Sequence, residues 1–403
     1  MTIISSDHDL AVHLSADLDR KADIRVYAPQ LSLSQYADPP WSYALEPPFD
    51  IHSRVPQLKA GAFGKCKSIP NTDRFIWAIN TSLRAEAQLC ALINLPYSYY
   101  RKCPHELMAA NLNYWMPQKK KTHLLIRMYN TNSSGWFPPL GWYARGILTN
   151  RYKPTDDHIL FPLVLEALKI WKKDKDLATF WSDTHLDLVT SPEFSQLYAR
   201  FANYHCTNKG INATPGIYIA NSEIGLSAIH ILPSISYSKE GTLLCIDIPG
   251  ATGGSSFRHT GVMTPGAMHD ALNKAFDHAQ AAAINLLKMG EVKVKNTNDL
   301  FQELKEFGQG AIPKSAITVA QSSEVWTAVF GAAAPDGVES STLSTIALCL
   351  YYAVNHLPLF ERHQAEMALS RYFGLFEEPD TVAEETSKLA SISQRNILAM
   401  LED

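Results

Sequence analysis

Three apolar runs, Gly216-Ile-Tyr-Ile-Ala-Asn221, Leu226-Ser-Ala-Ile-His-Ile-Leu232 and Thr242-Leu-Leu-Cys-Ile-Asp-Ile248, follow one another over residues 216–248. Each is rich in β-branched and aromatic residues, and Ser222-Glu-Ile-Gly225 and Ser238-Lys-Glu-Gly241 supply turns between them. Pro249-Gly-Ala-Thr-Gly-Gly-Ser-Ser256 then reads as a loop, and Thr264-Pro265 as the cap of a long helix. That helix keeps Met268, Leu272, Phe276, Ala279, Ala283 and Leu286 on one face and ends at Gly290. Strand, strand, strand, helix predicts an antiparallel meander with a helix across one face, an α+β fold.

Upstream, Phe75-Ile-Trp-Ala-Ile79, His123 to Tyr129 and Tyr143 to Leu148 read as strands, and Ser82 to Leu95 as a helix. Thr131-Asn-Ser-Ser-Gly135 reads as a loop. A helix is expected after Thr155-Asp-Asp157, with Ile159, Leu160, Leu163, Val164, Ala167, Leu168 and Trp171 as its stripe. Ser191-Pro-Glu193 predicts another, with Phe194, Leu197, Tyr198 and Phe201 buried. Prolines at 29, 39, 40, 47 and 48 make residues 1–50 an extended arm. Residues 51–310 form the expected core domain, with a basic strand-rich half and the meander half, and residues 311–403 a helical region. In that region Ser340 to Leu357 and Thr381 to Leu401 are the strongest helices.

Hydrophobic residues make up 46% of 403 and charged residues 19%, which excludes wholesale disorder. Six widely spaced cysteines form no Cys-x-x-Cys pair, so a zinc ribbon or a disulfide scaffold is not expected and a reducing cytoplasm fits. The N-terminus carries no leader-like apolar run, and the apolar stretch from Leu343 to Leu357 is too short for a membrane span. A soluble cytoplasmic protein is the expectation.

The net charge of −4 conceals an asymmetry. Residues 51–155 hold fifteen Lys and Arg against three acids, a balance of +12, and the remainder is correspondingly acidic, including seven acids in 377–403. Residues 107–155 carry seven basic side chains, no acid and eight aromatics: Tyr114, Trp115, Tyr129, Trp136, Phe137, Trp142, Tyr143 and Tyr152. Cations neutralise phosphates and rings stack on unpaired bases, so the pattern suits a single-strand surface. A strand-rich domain with a core of aromatics is the alternative. The candidate contacts are Lys119, Lys120, Lys121, Arg127, Arg145, Arg151, Tyr152, Lys153, Arg258 and His259.

Enzyme motifs are sparse. Gly61-Ala-Phe-Gly64-Lys65 lacks phosphate-loop spacing, and the helix after Gly250-Ala-Thr-Gly253-Gly254 starts too late for a dinucleotide turn. Neither a metal-ligand set nor a nucleophile–base pair can be identified from spacing, and no cofactor or metal is expected. Asn221, Ser222 and Glu223 end a strand, either as turn chemistry closed by Gly225 or as a polar pair between Glu223 and Arg258. Arg258 and His259, after a Gly-rich loop, form a candidate anion site or, for Arg258, an ion pair with an acid.

Arg145-Gly-Ile-Leu-Thr-Asn-Arg-Tyr-Lys-Pro-Thr-Asp-Asp157, Gly216-Ile-Tyr-Ile-Ala-Asn-Ser-Glu-Ile-Gly225 and Phe257-Arg-His-Thr-Gly261 resemble, in order, segments of a phage/plasmid-like family, the domain of unknown function nine-three-two. The resemblance covers about residues 140–290; where many members have Cys-x-Asn-Gly after the third strand, Cys245-Ile-Asp-Ile248 stands here. It implies a mobile-element setting and no activity. The meander order also resembles the core of single-strand annealing proteins of the Rad type, a likeness of fold alone. Together these readings point to a non-catalytic nucleic-acid-binding protein, single-stranded DNA favoured, annealing included, working as a homo-oligomer. The alternatives are an enzyme using Glu223, Arg258 and His259 on nucleic acid or nucleotides, and a structural protein whose basic and acidic parts pair.

Overall fold

The computed structural model describes residues 2–34, 44–46, 67–68, 75–76, 79–130, 142–174, 184–208, 211–239, 245–259, 263–290, 292, 294, 297–330 and 342–376. The loop at 131–135, the glycine run at 61–65, the helix expected at 381–401 and the acidic segment 377–403 lie outside them.

The chain begins β1 (Thr2–Ile4), α1 (Asp7–Leu18), β2 (Lys21–Tyr27), β3 (Ser32–Ser34), β4 (Ala44–Glu46), β5 (Lys67–Ser68), β6 (Phe75–Ile76), β7 (Ile79–Thr81). It continues α2 (Leu83–Leu92), α3 (Tyr97–Tyr100), α4 (His105–Trp115), β8 (His123–Asn130), β9 (Trp142–Thr149) and α5 (Asp157–Asp174). Strands β10 (Thr184–Thr190), β11 (Ser195–Phe201), β12 (Cys206–Asn208), β13 (Ile211–Asn221), β14 (Ile229–Lys239), β15 (Cys245–Pro249) and β16 (Ser255–Phe257) come next. The rest is helical: α6 (Pro265–Met289), α7 (Thr297–Glu306), α8 (Lys314–Ala320), α9 (Ser323–Phe330), α10 (Leu343–Val354) and α11 (Leu359–Phe373).

The fold is α+β and is built on two large sheets, with β5 and β6 paired in a separate two-stranded ribbon. The larger runs β1-β10-β11-β13-β14-β15, all neighbours antiparallel, with β12 added to β13 and β16 to β14. The expected meander is its β13-β14-β15 part. Helix α6 lies on it: Thr264 Oγ1 caps the Ala267 N–H at 3.2 Å, Pro265 opens the first turn and Gly290 closes the last. Its inner face, from Met268 through Ala271, Ala275 and Phe276 to Leu286, is buried, the alanines letting the helix approach the strands closely. Helices α1 and α5 share that core, and α7 to α11 close the far end. In α5 the buried face is Leu160, Phe161, Val164, Leu165, Leu168 and Trp171; Ile159 and Leu163 of the expected stripe are exposed. Among the described residues no helix is long and apolar enough to cross a membrane.

The second sheet runs β2-β8-β9-β7-β4-β3. Ala22, Ile24, Val26, Leu124, Ile126 and Met128 alternate onto one face and pack against α2 and α4. Lys21, Asp23 and Arg127 therefore point the other way, toward the larger sheet.

Two expectations are corrected. Residues 191–201 form no helix: Ser195–Phe201 is strand β11, paired on both sides. Phe194 and Tyr198 face one apolar cluster, and Leu197, Ala199 and Phe201 another, so a strand buried on both faces imitates a helical stripe. Nor are residues 2–34 an arm. Strand β1 joins the larger sheet at β10, α1 packs in its core, and β2 joins the smaller sheet at β8.

Candidate functional site

The facing sides of the two sheets meet in a buried charge network. Glu223, just past β13, takes Lys21 Nζ at 2.8 Å and the Asp157 N–H at 2.9 Å on Oε1, while its Oε2 stands 2.7 Å from Arg145 Nη1. Lys21 also pairs with Asp17, near the end of α1, and lies 4.0 Å from Asp157 Oδ2. Arg127 spreads over three partners: Asp23 at 3.0 Å, Asp156 at 2.6 Å and the Glu223 carbonyl at 2.5 Å. Asp157 accepts from Asn221 Nδ2 at 2.8 Å and from the Ser195 hydroxyl. Asn221 Nδ2 also donates to the Thr155 carbonyl at 2.9 Å, so the end of β13 is tied to the start of α5.

Arg145 reaches this network through a β-bulge. Arg127 faces Gly146 and Met128 faces Ala144, leaving Arg145 as the extra residue of β9. Trp142 and Ala144 before the bulge and Ile147 after it all reach the α2/α4 core, so alternation is broken by one residue. Arg145 then donates to the Pro192 carbonyl at 2.6 Å as well as meeting Glu223. Gly146 is required beside it, because a Cβ there would stand 2.7 Å from Ile224 Cβ.

Burial disfavours every charge here, and the partners decide which survive. Burial resists ionisation of Glu223, but Arg145, Lys21 and Arg127 outweigh it and hold its carboxyl well below the usual range. Burial and the Glu223 charge together push Asp157 up to about 7. Burial would discharge Lys21, yet Glu223 and Asp157 keep its pKa above the ordinary lysine value. Oxygens of Asp17, Asp157 and Glu223 approach within 4.8 Å of one another, a spacing that suits a hard cation. Lys21 Nζ already bonds two of the three and supplies that positive charge. The arrangement clamps two sheets together; the carboxylates of Asp17, Asp156, Asp157 and Glu223 are buried and paired, and Asp23 pairs with Arg127 at the exposed edge.

Residues 151–157, 221–227 and 257–259 converge beside this clamp. The Tyr152 hydroxyl donates to the Ser222 carbonyl at 3.0 Å, and the Tyr152 ring stacks on His259 at 4.9 Å between centroids. The Lys153 N–H donates to the His259 carbonyl at 2.8 Å, and His259 Nε2 lies 3.2 Å from the Ser227 carbonyl. Ser222 Oγ donates to the Glu193 carbonyl and accepts the Leu226 N–H, and Gly225 takes φ of +72° to close the turn. The expected Glu223–Arg258 pair is not formed: Glu223 faces Lys21 and Arg145, and Arg258 is exposed. Burial lowers the His259 pKa.

The other predicted contacts divide between core and surface. Arg127 and Arg145 are buried and spent on carboxylates and carbonyls, so neither reaches an external phosphate. Tyr129, Trp142 and Tyr143 are core, and Trp136 and Phe137 lie outside the described residues. Lys119, Lys121 and Arg151, by contrast, line one open cleft of about 290 Å³ with Thr122, Thr149 and Asn150. Ala28, Leu92, Met116 and Leu124 form its apolar floor, and among the described residues no acid lines it. Strand pairing explains the meeting: Leu124 at the start of β8 lies opposite Thr149 at the end of β9, so the flanking segments share one sheet end. The Tyr27 hydroxyl donates to the Lys120 carbonyl and anchors the lysine turn. The side chains of Lys120 and Lys153 are exposed.

Sequence reasoning missed Lys21, Asp23, Asp156 and Asp157 as partners of Arg127 and Glu223, and Asp17 as a partner of Lys21. The i, i+4 spacing of Asp17 and Lys21 was the one local signal; the rest depends on contacts between distant segments. Comparison with known proteins finds no matching family model, curated protein or solved structure.

Proposed function

We propose that the chain is a nucleic-acid-binding protein that grips backbone phosphates in the cleft of Lys119, Lys121 and Arg151, with single-stranded DNA as the favoured ligand. The observation that carries this reading is the cleft itself: three cations from two separated segments converge on an open space that no acid lines among the described residues. An isolated lysine run is ordinary surface, whereas convergence concentrates positive potential where a phosphate can sit. The resemblance of residues 140–290 to phage/plasmid-like proteins supports a mobile-element setting in a bacterial cytoplasm, and a homo-oligomer that pairs strands is part of the same proposal. Turnover at Glu223, Arg258 and His259 gains no support, since Glu223 is held by Lys21 and Arg145 and Arg258 stands apart.

The test is fluorescence anisotropy with a labelled oligothymidylate at several salt concentrations. Lys119→Glu/Lys121→Glu/Arg151→Glu should weaken binding and flatten the dependence of log affinity on log salt by about 2, from three lost phosphate contacts on a single strand. A folded triple variant with unchanged affinity and slope would refute the reading.

A further inference from the structure

Helix α4 carries a surface that the cleft alone does not explain. Its inner face is Met108, Ala109 and Leu112, all buried in the core of the smaller sheet. Its last turn turns two large rings outward: Tyr114 is 64% exposed and Trp115 41%. They touch each other edge to face, centroids 5.2 Å apart and planes at 87°. Among the described residues, neither the Tyr114 hydroxyl nor the Trp115 indole N–H has a hydrogen-bond partner. Leu107, on the same helix, is also exposed.

The rings stand on a braced support. Asn113, next to them, uses both ends of its amide on β3: Oδ1 accepts the Leu33 N–H and Nδ2 donates to the Leu33 carbonyl, each at 2.8 Å. The side chain thus acts as a strand partner, fixing the rotation of the last turn of α4. Trp115 is followed directly by Met116, which lines the cleft, and by Lys119 one turn later. Rings that adjoin in sequence the lining of a basic cleft meet the two requirements of single-strand binding, a charged track and flat apolar faces. Duplex DNA offers the phosphates but keeps its base faces stacked inside.

We propose that Tyr114 and Trp115 form a base-stacking platform that makes the cleft select unpaired over paired nucleic acid. This rests on the reading of the Lys119–Lys121–Arg151 cleft as a phosphate site. The charge of that cleft is what identifies the occupant of the aromatic face as a nucleic acid strand. The other aromatics that residues 107–155 contribute to the described structure are core or, in Tyr152, committed to His259 and Ser222.

Wild type, Tyr114→Ala/Trp115→Ala and Lys119→Glu/Lys121→Glu are each titrated with three probes of equal length: oligothymidylate, an abasic strand and a duplex. Circular dichroism and size-exclusion chromatography accompany each variant. The platform predicts that the aromatic variant loses about ten- to a hundredfold in affinity for oligothymidylate, with an unchanged salt slope and unchanged binding of duplex and abasic strand. The lysine variant should weaken on all three probes. Equal wild-type affinity for oligothymidylate and abasic strand, or an aromatic variant with its single-strand preference intact, overturns the platform and leaves the phosphate site standing. A change of oligomeric state in the aromatic variant also overturns it, because a second copy of the chain would then be what covers the rings. A lysine variant that still binds every probe like wild type removes the phosphate site, and the platform with it.

Discussion

Replacing Glu223 by Gln removes one charge and almost no volume from the buried seam, and its cost follows from the geometry. Oε1 accepts from Lys21 at 2.8 Å and from the Asp157 N–H at 2.9 Å, and Oε2 meets Arg145 at 2.7 Å. A glutamine has one acceptor end. With its oxygen kept toward Lys21, its amide N–H₂ confronts the Arg145 guanidinium; turned over, it confronts Lys21 and the Asp157 N–H together. Breaking one partner of a buried ion pair costs about 3–5 kcal/mol. Part of that is recovered. Burial and the Glu223 charge are what hold the Asp157 carboxyl up at about 7. With Glu223 neutral, Asp157 ionises more readily and can take over Lys21, now 4.0 Å away. The expected loss is therefore near the lower end, about 3 kcal/mol. Urea denaturation at pH 7.5, followed by circular dichroism, should show a lower midpoint with an unchanged slope. Glu223→Gln/Asp157→Asn removes the rescue, so it should lose more than the two single variants added together, by about 0.5–3 kcal/mol. A single variant as stable as wild type, or a strictly additive double, would refute the account of the seam.

Phe276→Ala should cost about 3–5 kcal/mol, since the ring is buried among Trp171, Phe201 and Tyr204 at centroid distances of 4.8, 5.4 and 5.0 Å; an unchanged melting temperature would contradict this. Asp157 titrates higher in the fold than its ordinary 3.8, so its contribution to stability falls as pH rises from about 4 to about 7. Asp157→Asn should remove that fall in denaturation midpoints measured across the window, whereas the depressed pKa of Glu223 acts in the opposite sense and only as pH drops below about 4.5. Gly146→Ala should cost about 1–3 kcal/mol through the 2.7 Å approach to Ile224 Cβ, read as a lowered thermal midpoint.

The meander and its helix were legible because each strand carries its own turn residues and α6 has both a capping threonine and a closing glycine. What escaped was non-local. Strand β1 pairs with β10, more than 180 residues on, and nothing in Thr2–Ile4 announces it. Phe194, Leu197, Tyr198 and Phe201 suit a helix and a doubly buried strand equally well, and only the neighbours β10 and β13 decide. The candidate site was legible in part for the same reason. A count of basic residues treats Arg145 and Arg151 alike, yet a one-residue bulge turns the first into the seam while the end of β9 leaves the second in the cleft. Burial of Arg127 and Arg145 depends on acids contributed by β2, the residue just before α5 and the turn after β13, which no window around the arginines contains. The exposed pair Tyr114 and Trp115 differs from buried Trp142 and Tyr143 by position on its element, not by composition.

The seam and the cleft belong to one mechanical unit. Arg151 lies on the short link between β9 and α5, and both ends of that link are anchored in the seam. Arg145 and the bulge hold the β9 side, while Asp156 and Asp157 hold the α5 side through Arg127, Asn221 and Glu223. In between, Tyr152 is pinned to Ser222 and His259, and the Lys153 backbone to His259. Residues on either side of Arg151 are thus fixed by groups that never touch the cleft. Lys119 and Lys121 are fixed separately, by the end of α4, the start of β8 and the Tyr27 contact to Lys120. A buried ion network is a poor route to stability, because desolvation offsets most of the attraction. It does specify geometry. Here it sets the position of Arg151 relative to the two lysines, so that cations supplied by separate segments converge where no single segment could place them.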